Sequence, residues 1–225
     1  MNAAFAIMVA LREKDISGVG QAIDVSMLEG QLSLMGIMIG HYFSTGEVAE
    51  PMGTAYKALL PYQTFRTKTR DLALAVGSEK LWREFCPAIG CPELADDPRF
   101  KTNGDRNKNR PALIDKLQEV FLTASYEEWE DRLVKAGIPI GAINNVSQVL
   151  EHPQVKARGS IVEMDHPKAG KVKVVGVPIR FSKTPGSVRT PSPSLGEHTE
   201  EVLKEVLGMD ETQIEALRSS GGLGK

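Results

Sequence analysis

Cysteine is scarce. Cys86 and Cys91 are the only two in 225 residues, and their spacing is that of neither a zinc knuckle nor a CxxC redox pair. A disulfide scaffold is not expected, and a reducing, cytoplasmic setting fits. An excess of one charge is also missing. The 27 Lys and Arg against 29 Asp and Glu leave a formal net charge of −2, without the concentrated basic surplus that a phosphate backbone demands, so no nucleic-acid partner is expected. No hydrophobic run is long enough for a membrane span, and the apolar opening at 1–11 has no basic front like that of a signal peptide. Neither a membrane partner nor export is therefore expected. The sequence also lacks a GxSxG elbow, an HExxH pair and a P-loop, which removes the main support for serine hydrolase, zinc protease and nucleotide kinase chemistry. Internal repeats and low-complexity tracts are absent.

What is present is the composition of a folded chain. It is 41% hydrophobic and 25% charged, close to the average for globular proteins, and long enough to bury a core as one large domain or two small ones.

The opening is unusual. Ala3, Ala4, Phe5, Ala6, Ile7, Met8, Val9, Ala10 and Leu11 are apolar all round, which at helical spacing predicts a helix buried on every side. Polar Arg12, Glu13, Lys14 and Asp15 are expected to end it, and Gly18 and Gly20 to break the chain. Such a helix either docks into a partner or belongs in the middle of a larger fold. After an extended stretch at 22–26, apolar residues from Met27 to Phe43 exceed a single stripe. They predict one long helix packed on several sides, with Gly30, Gly36 and Gly40 permitting close approach.

A linker at 44–51 leads into a change of composition. Strands are expected at 62–65 and 72–76 as a hairpin around the charged 66–71 stretch. Helices are expected at 79–85, 106–122 and 126–136, the last opened by a Ser125/Glu128 capping box and stopped by Gly137. A short helix at 147–151 precedes a second hairpin, 161–164 with 171–177, turning at 166–170. A Pro/Ser-rich crossing at 184–194 then leads to helices at 198–207 and 211–219, the second capped by Asp210 with Gln213.

Taken singly, the chemical motifs are modest. Gly18-Val19-Gly20-Gln21 lacks the third glycine of a dinucleotide fingerprint and reads as a turn. His41, His152, His166 and His198 are scattered without metal-ligand spacing and read as structural or exposed, so no metal site is expected. The basic run Arg99, Lys101, Arg106, Lys108 and Arg110 would attract phosphates, but reads better as a solvated helix entry. Met52, Gly53, Thr54, Ala55 and Tyr56 form a small-residue loop of the kind that touches substrates.

In combination the motifs are specific. Gly18-Val19-Gly20-Gln21-Ala22-Ile23-Asp24-Val25-Ser26-Met27-Leu28-Glu29 resembles the GxGQxIDVSLLD segment of the class III CoA-transferases, a family that includes formyl-CoA transferases, carnitine CoA-transferases and α-methylacyl-CoA racemases. Pro61-Tyr62-Gln63-Thr64-Phe65, the 72–77 strand, Leu94-Ala95-Asp96-Asp97-Pro98-Arg99-Phe100, Gly137-Ile138-Pro139, His152-Pro153-Gln154-Val155, Gly176-Val177-Pro178-Ile179 and Leu195-Gly196-Glu197-His198-Thr199 follow in family order.

The resemblance implies an α/β fold, here the C-terminal part of a class III CoA-transferase. Residues 1–46 would be a buried helix and a long linker helix of a Rossmann-like large domain that is incomplete here. Residues 47–152 would be a small α/β domain, and 153–225 a C-terminal return to the large domain. Full-length members are interlocked homodimers. They move CoA from an acyl-CoA to a small carboxylic acid through an aspartyl anhydride and an aspartyl-CoA thioester, so CoA thioesters are substrates and no cofactor is permanently bound.

In the family the nucleophilic aspartate lies just before the buried helix, which here begins at Met1; the residues that hold the adenine and pyrophosphate lie further upstream. Asp15 is at the wrong end of the helix and Asp24 belongs to the GxGQ segment, so neither replaces it. The chain alone is therefore expected to be an inactive fragment. The 52–56 loop stands where formyl-CoA transferases carry a glycine-rich cover over the intermediate, although Gly53 alone represents those glycines. Two alternatives remain: an α-methylacyl-CoA racemase using Glu79, near a proton-shuttling glutamate of that branch but without its Glu-Pro pair, and a non-catalytic subunit that docks through the apolar first helix. As a plain structural residue, Glu79 would be exposed at a helix N-terminus and favoured by the helix dipole.

Overall fold

The computed structural model describes residues 1–223. The chain divides into two compact units, Met1–Gly141 and Ala142 onward.

The first unit opens with three helices: α1 (Asn2–Ser17), α2 (Met27–Leu34) and α3 (Gly36–Thr45). The helix α1 runs through the charged 12–15 stretch instead of stopping there, because Arg, Glu and Lys propagate a helix well. It ends where Gly18 adopts φ 75° and donates its N–H to the Lys14 carbonyl. Residues 22–26 pair with no strand. The single long helix expected over 27–43 is broken at Met35, whose N–H bonds to Leu32, three residues back rather than four. Gly36, a poor helix former, follows directly, and the Ser33 hydroxyl donates to the Gly30 carbonyl at 2.7 Å, competing with the helical ladder.

None of the three helices has a buried residue. Phe5 is 74% exposed and Phe43 80%. The all-round burial expected for the first helix, and the many-sided packing expected for the second stretch, are thus not realised within this chain. The buried core of their own unit lies elsewhere, beginning at Leu60. Gly30 does allow close approach: a Cβ there would lie 3.3 Å from Asn2 Nδ2, whereas Gly36 and Gly40 face open space.

The packed part of this unit begins at Leu60. Strands β1 (Tyr62–Phe65) and β2 (Leu72–Ala75) form an antiparallel hairpin with Phe65 opposite Leu72, and β3 (Ile140–Ala142) follows β2 in the sheet order. The hairpin loop is pinned by Thr67, whose hydroxyl donates to the Arg70 carbonyl at 2.6 Å. Helices α4 (Glu79–Ala88), α5 (Asn103–Lys108), α6 (Arg110–Phe121) and α7 (Tyr126–Lys135) complete it. The helix α4 starts on a Ser78 cap, and α7 on the expected Ser125/Glu128 capping box.

The helix expected over 106–122 is in fact two. The Thr102 side chain caps a start at Asn103, and the chain then breaks at Asn109 (φ −108°, ψ 25°). Pro111, lacking an N–H, can join only the first turn of a new helix.

The core is aromatic. Phe121 of α6 contacts Phe65 of β1 (ring centroids 5.0 Å apart), Phe85 of α4 (6.3 Å) and Trp129 of α7 (5.3 Å, edge to face). Trp129 Nε1 donates to the Phe121 carbonyl at 2.9 Å, so its polar edge is satisfied inside the core. Among the described residues, every fully buried aliphatic or aromatic side chain except Ile214 lies between Leu60 and Ile138.

The second unit holds α8 (Val146–Glu151), α9 (Pro153–Ala157), the antiparallel hairpin β4 (Ile161–His166) with β5 (Gly170–Val175), then α10 (Thr199–Glu205) and α11 (Glu211–Ser219). The hairpin and both terminal helices match the sequence expectation closely. The helix α9 was not foreseen; it is a five-residue turn started by Pro153 and capped by His152 Nδ1, which accepts from the Gln154 N–H. At the hairpin turn His166 Nδ1 accepts from the Lys168 and Ala169 N–H groups, and Gly170 takes φ 69°. His198 pairs with Glu201 at 2.9 Å. These three histidines therefore have local structural work, as their scattered spacing suggests.

Candidate functional site

The candidate loop precedes β1. Gly53 has φ 62°, which makes the tight turn possible and lets the Ala55 N–H reach the Met52 carbonyl at 3.1 Å. The Thr54 hydroxyl accepts from the Thr64 N–H at 3.1 Å and lies 2.7 Å from the Thr64 hydroxyl. The Tyr56 N–H donates to the Tyr62 carbonyl at 2.9 Å, and the two tyrosine rings sit 5.6 Å apart. The loop is thus fastened along β1 while Met52, Gly53 and Thr54 remain exposed.

A chain of polar side-chain contacts ties α3 to this region. His41 Nε2 and Lys57 Nζ approach the two oxygens of Glu47 at 3.0 and 2.7 Å. The bond from Lys57, then that from His41, holds the Glu47 carboxyl below its ordinary range. His41, the fourth histidine, is thereby also accounted for.

Glu79 is the first residue of α4. Burial pushes its carboxyl up, but the Arg106 bond at 2.9 Å and the Asn103 N–H at 2.7 Å outweigh that and hold it below its ordinary value. Arg106 is 1% exposed. Its Nε donates to the Leu60 carbonyl at 2.7 Å and its Nη1 also to Phe100 at 3.1 Å, while its guanidinium stacks 4.7 Å from the Trp82 ring. Both Glu79 oxygens are therefore engaged, and the residue is exposed at the helix start, as expected for a structural role.

The solvated helix entry expected for the basic run needs correction. Arg106 is buried, and Arg110 is partly buried with three oxygen acceptors. Two of the five basic side chains thus turn inward, because backbone carbonyls near β1 need donors. Sequence reasoning missed Asn103 altogether. The available signal was its position directly after Thr102, a good N-cap that moves the helix start back to it. Among the described residues no group of three His, Cys, Asp or Glu is arranged to hold a metal, and no helix is long and apolar enough to cross a membrane.

The family model for CoA-transferase family III matches residues 1–199. The chain belongs to CoA-transferase family III. It is 37% identical to the succinyl-CoA:glutarate CoA-transferase of Homo sapiens over 216 residues, which is 96% of this chain and 49% of that protein. The formyl-CoA:oxalate CoA-transferase of Afipia carboxidovorans is 29% identical, with 100% of this chain and 58% of the relative covered. Among solved structures, a CAIB/BAIF family protein from Brucella suis superposes with a TM-score of 0.73 at 32% identity, over 90% of this chain and 52% of that one. The mixed helices and small antiparallel sheets are thus a recognisable part of the family III fold. The chain spans about half the length of the curated relatives it matches.

Proposed function

We propose that this chain is one portion of an acyl-CoA:carboxylate CoA-transferase whose nucleophilic aspartate lies outside residues 1–225. The observation that carries the reading is the family match over residues 1–199, combined with three apolar helices that have no buried residue. The aspartate carboxylate attacks the donor thioester carbonyl and CoA leaves as thiolate, giving a mixed anhydride. The thiolate then attacks the aspartyl carbonyl and expels the donor acid, leaving aspartyl-CoA. The acceptor carboxylate repeats these steps in reverse, leaving as acyl-CoA and restoring the aspartate.

In this proposal residues 1–46 and 153–225 belong to a large domain, and 47–152 form a small domain whose 52–56 loop faces the intermediate. Two full-length subunits interlock in the cytoplasm, and the CoA thioester is substrate rather than resident cofactor. The racemase alternative asks Glu79 to exchange a proton at an α-carbon. Its pairing with buried Arg106 and its lowered pKa weigh against that role. The exposed apolar helices fit a partner-binding subunit as well, and activity separates the two.

The test uses succinyl-CoA and glutarate, the substrates in the human relative's name. The chain alone is expected to transfer no CoA. A chimera in which it replaces its matching segment of the human enzyme is expected to transfer CoA. Turnover by the pure chain, or a folded chimera without turnover, would contradict the proposal.

A further inference from the structure

The 52–56 loop reaches β1 through residues 57–61, and side chains of α5 and α6 grip this connection. Asn103 accepts from the Leu60 N–H at 3.1 Å through Oδ1 and donates to the Ala58 carbonyl at 2.8 Å through Nδ2. Arg106 Nε donates to the Leu60 carbonyl at 2.7 Å. Arg110 Nη2 donates to the Lys57 carbonyl at 2.9 Å, the Tyr56 carbonyl at 3.2 Å and Asn107 Oδ1 at 2.6 Å. The carbonyls of Tyr56, Lys57, Ala58 and Leu60 are thus each engaged by one row of side chains. The far end of β1 is held the same way: Gln118 of α6 accepts from the Arg66 N–H and donates to its carbonyl.

We propose that Asn103, Arg106 and Arg110 are positioning residues that fix the 52–56 loop for catalysis, with Arg110 setting where its last residue sits. This rests on the reading of that loop as the cover of the substrate site. The physical reason lies in Arg110. Its Nη1 is buried with no acceptor among the described residues, so the cation depends on the oxygens that Nη2 reaches. A shift of the Tyr56 and Lys57 carbonyls would strip a partly buried charge of its partners, and the loop is held in register by that cost. Asn103 and Arg106 extend the same grip toward β1, where the core anchors it.

Two linked measurements test this. In the 225-residue chain, Arg110→Met is expected to speed amide exchange at Ala55 and Tyr56 about ten-fold, with β2 and α7 unchanged and Arg110→Lys restoring part of the protection. Unchanged loop exchange would overturn the clamp. Equal acceleration throughout the core would overturn it too, by making Arg110 a general stability residue. In the chimera with succinyl-CoA and glutarate, Arg110→Met is expected to lower kcat about ten-fold with KM within two-fold, again partly recovered by Lys. Faster loop exchange with unaltered kcat and KM would leave the clamp intact and overturn the premise that the loop serves the site.

Discussion

Residues 2–45 and 60–138 are both rich in large apolar side chains, yet Leu117, Phe121 and Trp129 are withdrawn from solvent whereas Phe5, Met27 and Phe43 keep most of their surface. The later stretch contains both faces of its own core. Its hairpin supplies Phe65, Leu72 and Leu74; Phe121 of α6 meets Phe65, and Phe85 of α4 and Trp129 of α7 meet Phe121. The earlier stretch contains one face and no counterpart. Apolar patterning therefore states that a surface demands cover; whether the cover is in the same chain is a separate fact, which the pattern does not carry.

Substitutions in the two regions are expected to differ widely in effect. The largest effect is expected in the aromatic core. Trp129→Ala should cost about 3–5 kcal/mol, lost packing plus a residual cavity, seen as a lower urea midpoint with Trp82 fluorescence as reporter. Next comes the Arg106 site. Arg106→Met should cost about 2–4 kcal/mol because the Leu60 and Phe100 carbonyls lose their donor, and Glu79→Gln about 1–2 kcal/mol because Glu79 is half-exposed.

Glu79 also gives a signed pH dependence. Its folded pKa lies below its unfolded one, so its contribution is complete above the ordinary carboxylate value and disappears as pH falls through the folded value. Urea midpoints between about pH 3 and 6 should fall less steeply in Glu79→Gln than in the parent chain.

A kinetic effect without loss of stability is expected at Cys86. Burial pushes its thiol up to about 12, and Cys91 is raised as well, so a thiol reagent at about pH 8 should label them only as fast as the core opens. Labelling at the free-thiol rate in native buffer would show that the core is more open than described. The smallest effect belongs to the first region. The double variant Phe5→Ser, Phe43→Ser should move the urea midpoint of the isolated chain by less than about 0.5 kcal/mol in equivalent stability, since neither side chain is buried.

Much of the fold was legible in the sequence, and the reasons are local. The two hairpins announce themselves by alternation and turn residues, and Ser125/Glu128 and Asp210/Gln213 mark helix starts by chemistry that needs only four residues. The breaks at Met35 and Asn109 were harder to see because a helical apolar pattern continues across both. At Asn109 the decisive feature is the missing N–H of Pro111; at Met35 it is the Ser33 hydroxyl bond. The site was legible only in outline. A loop of small residues can be picked out by composition, but the grip on it comes from Asn103, Arg106 and Arg110, 43 to 54 residues away from the backbone groups they hold. Nothing local to 52–56 reveals such partners, and a basic run looks the same whether its arginines point to water or to carbonyls.

Amide hydrogen exchange of the isolated chain and of the chimera with the human relative bears most directly on the account's main claim, that a self-contained module is joined to helices made to be covered. In the isolated chain, β1, β2, α4, α6 and α7 are expected to exchange at the global unfolding limit while α1, α2 and α3 exchange orders of magnitude faster. In the chimera the three helices should become as protected as the module. Slow exchange of α1 in the isolated chain, or continued fast exchange in an active chimera, would contradict it.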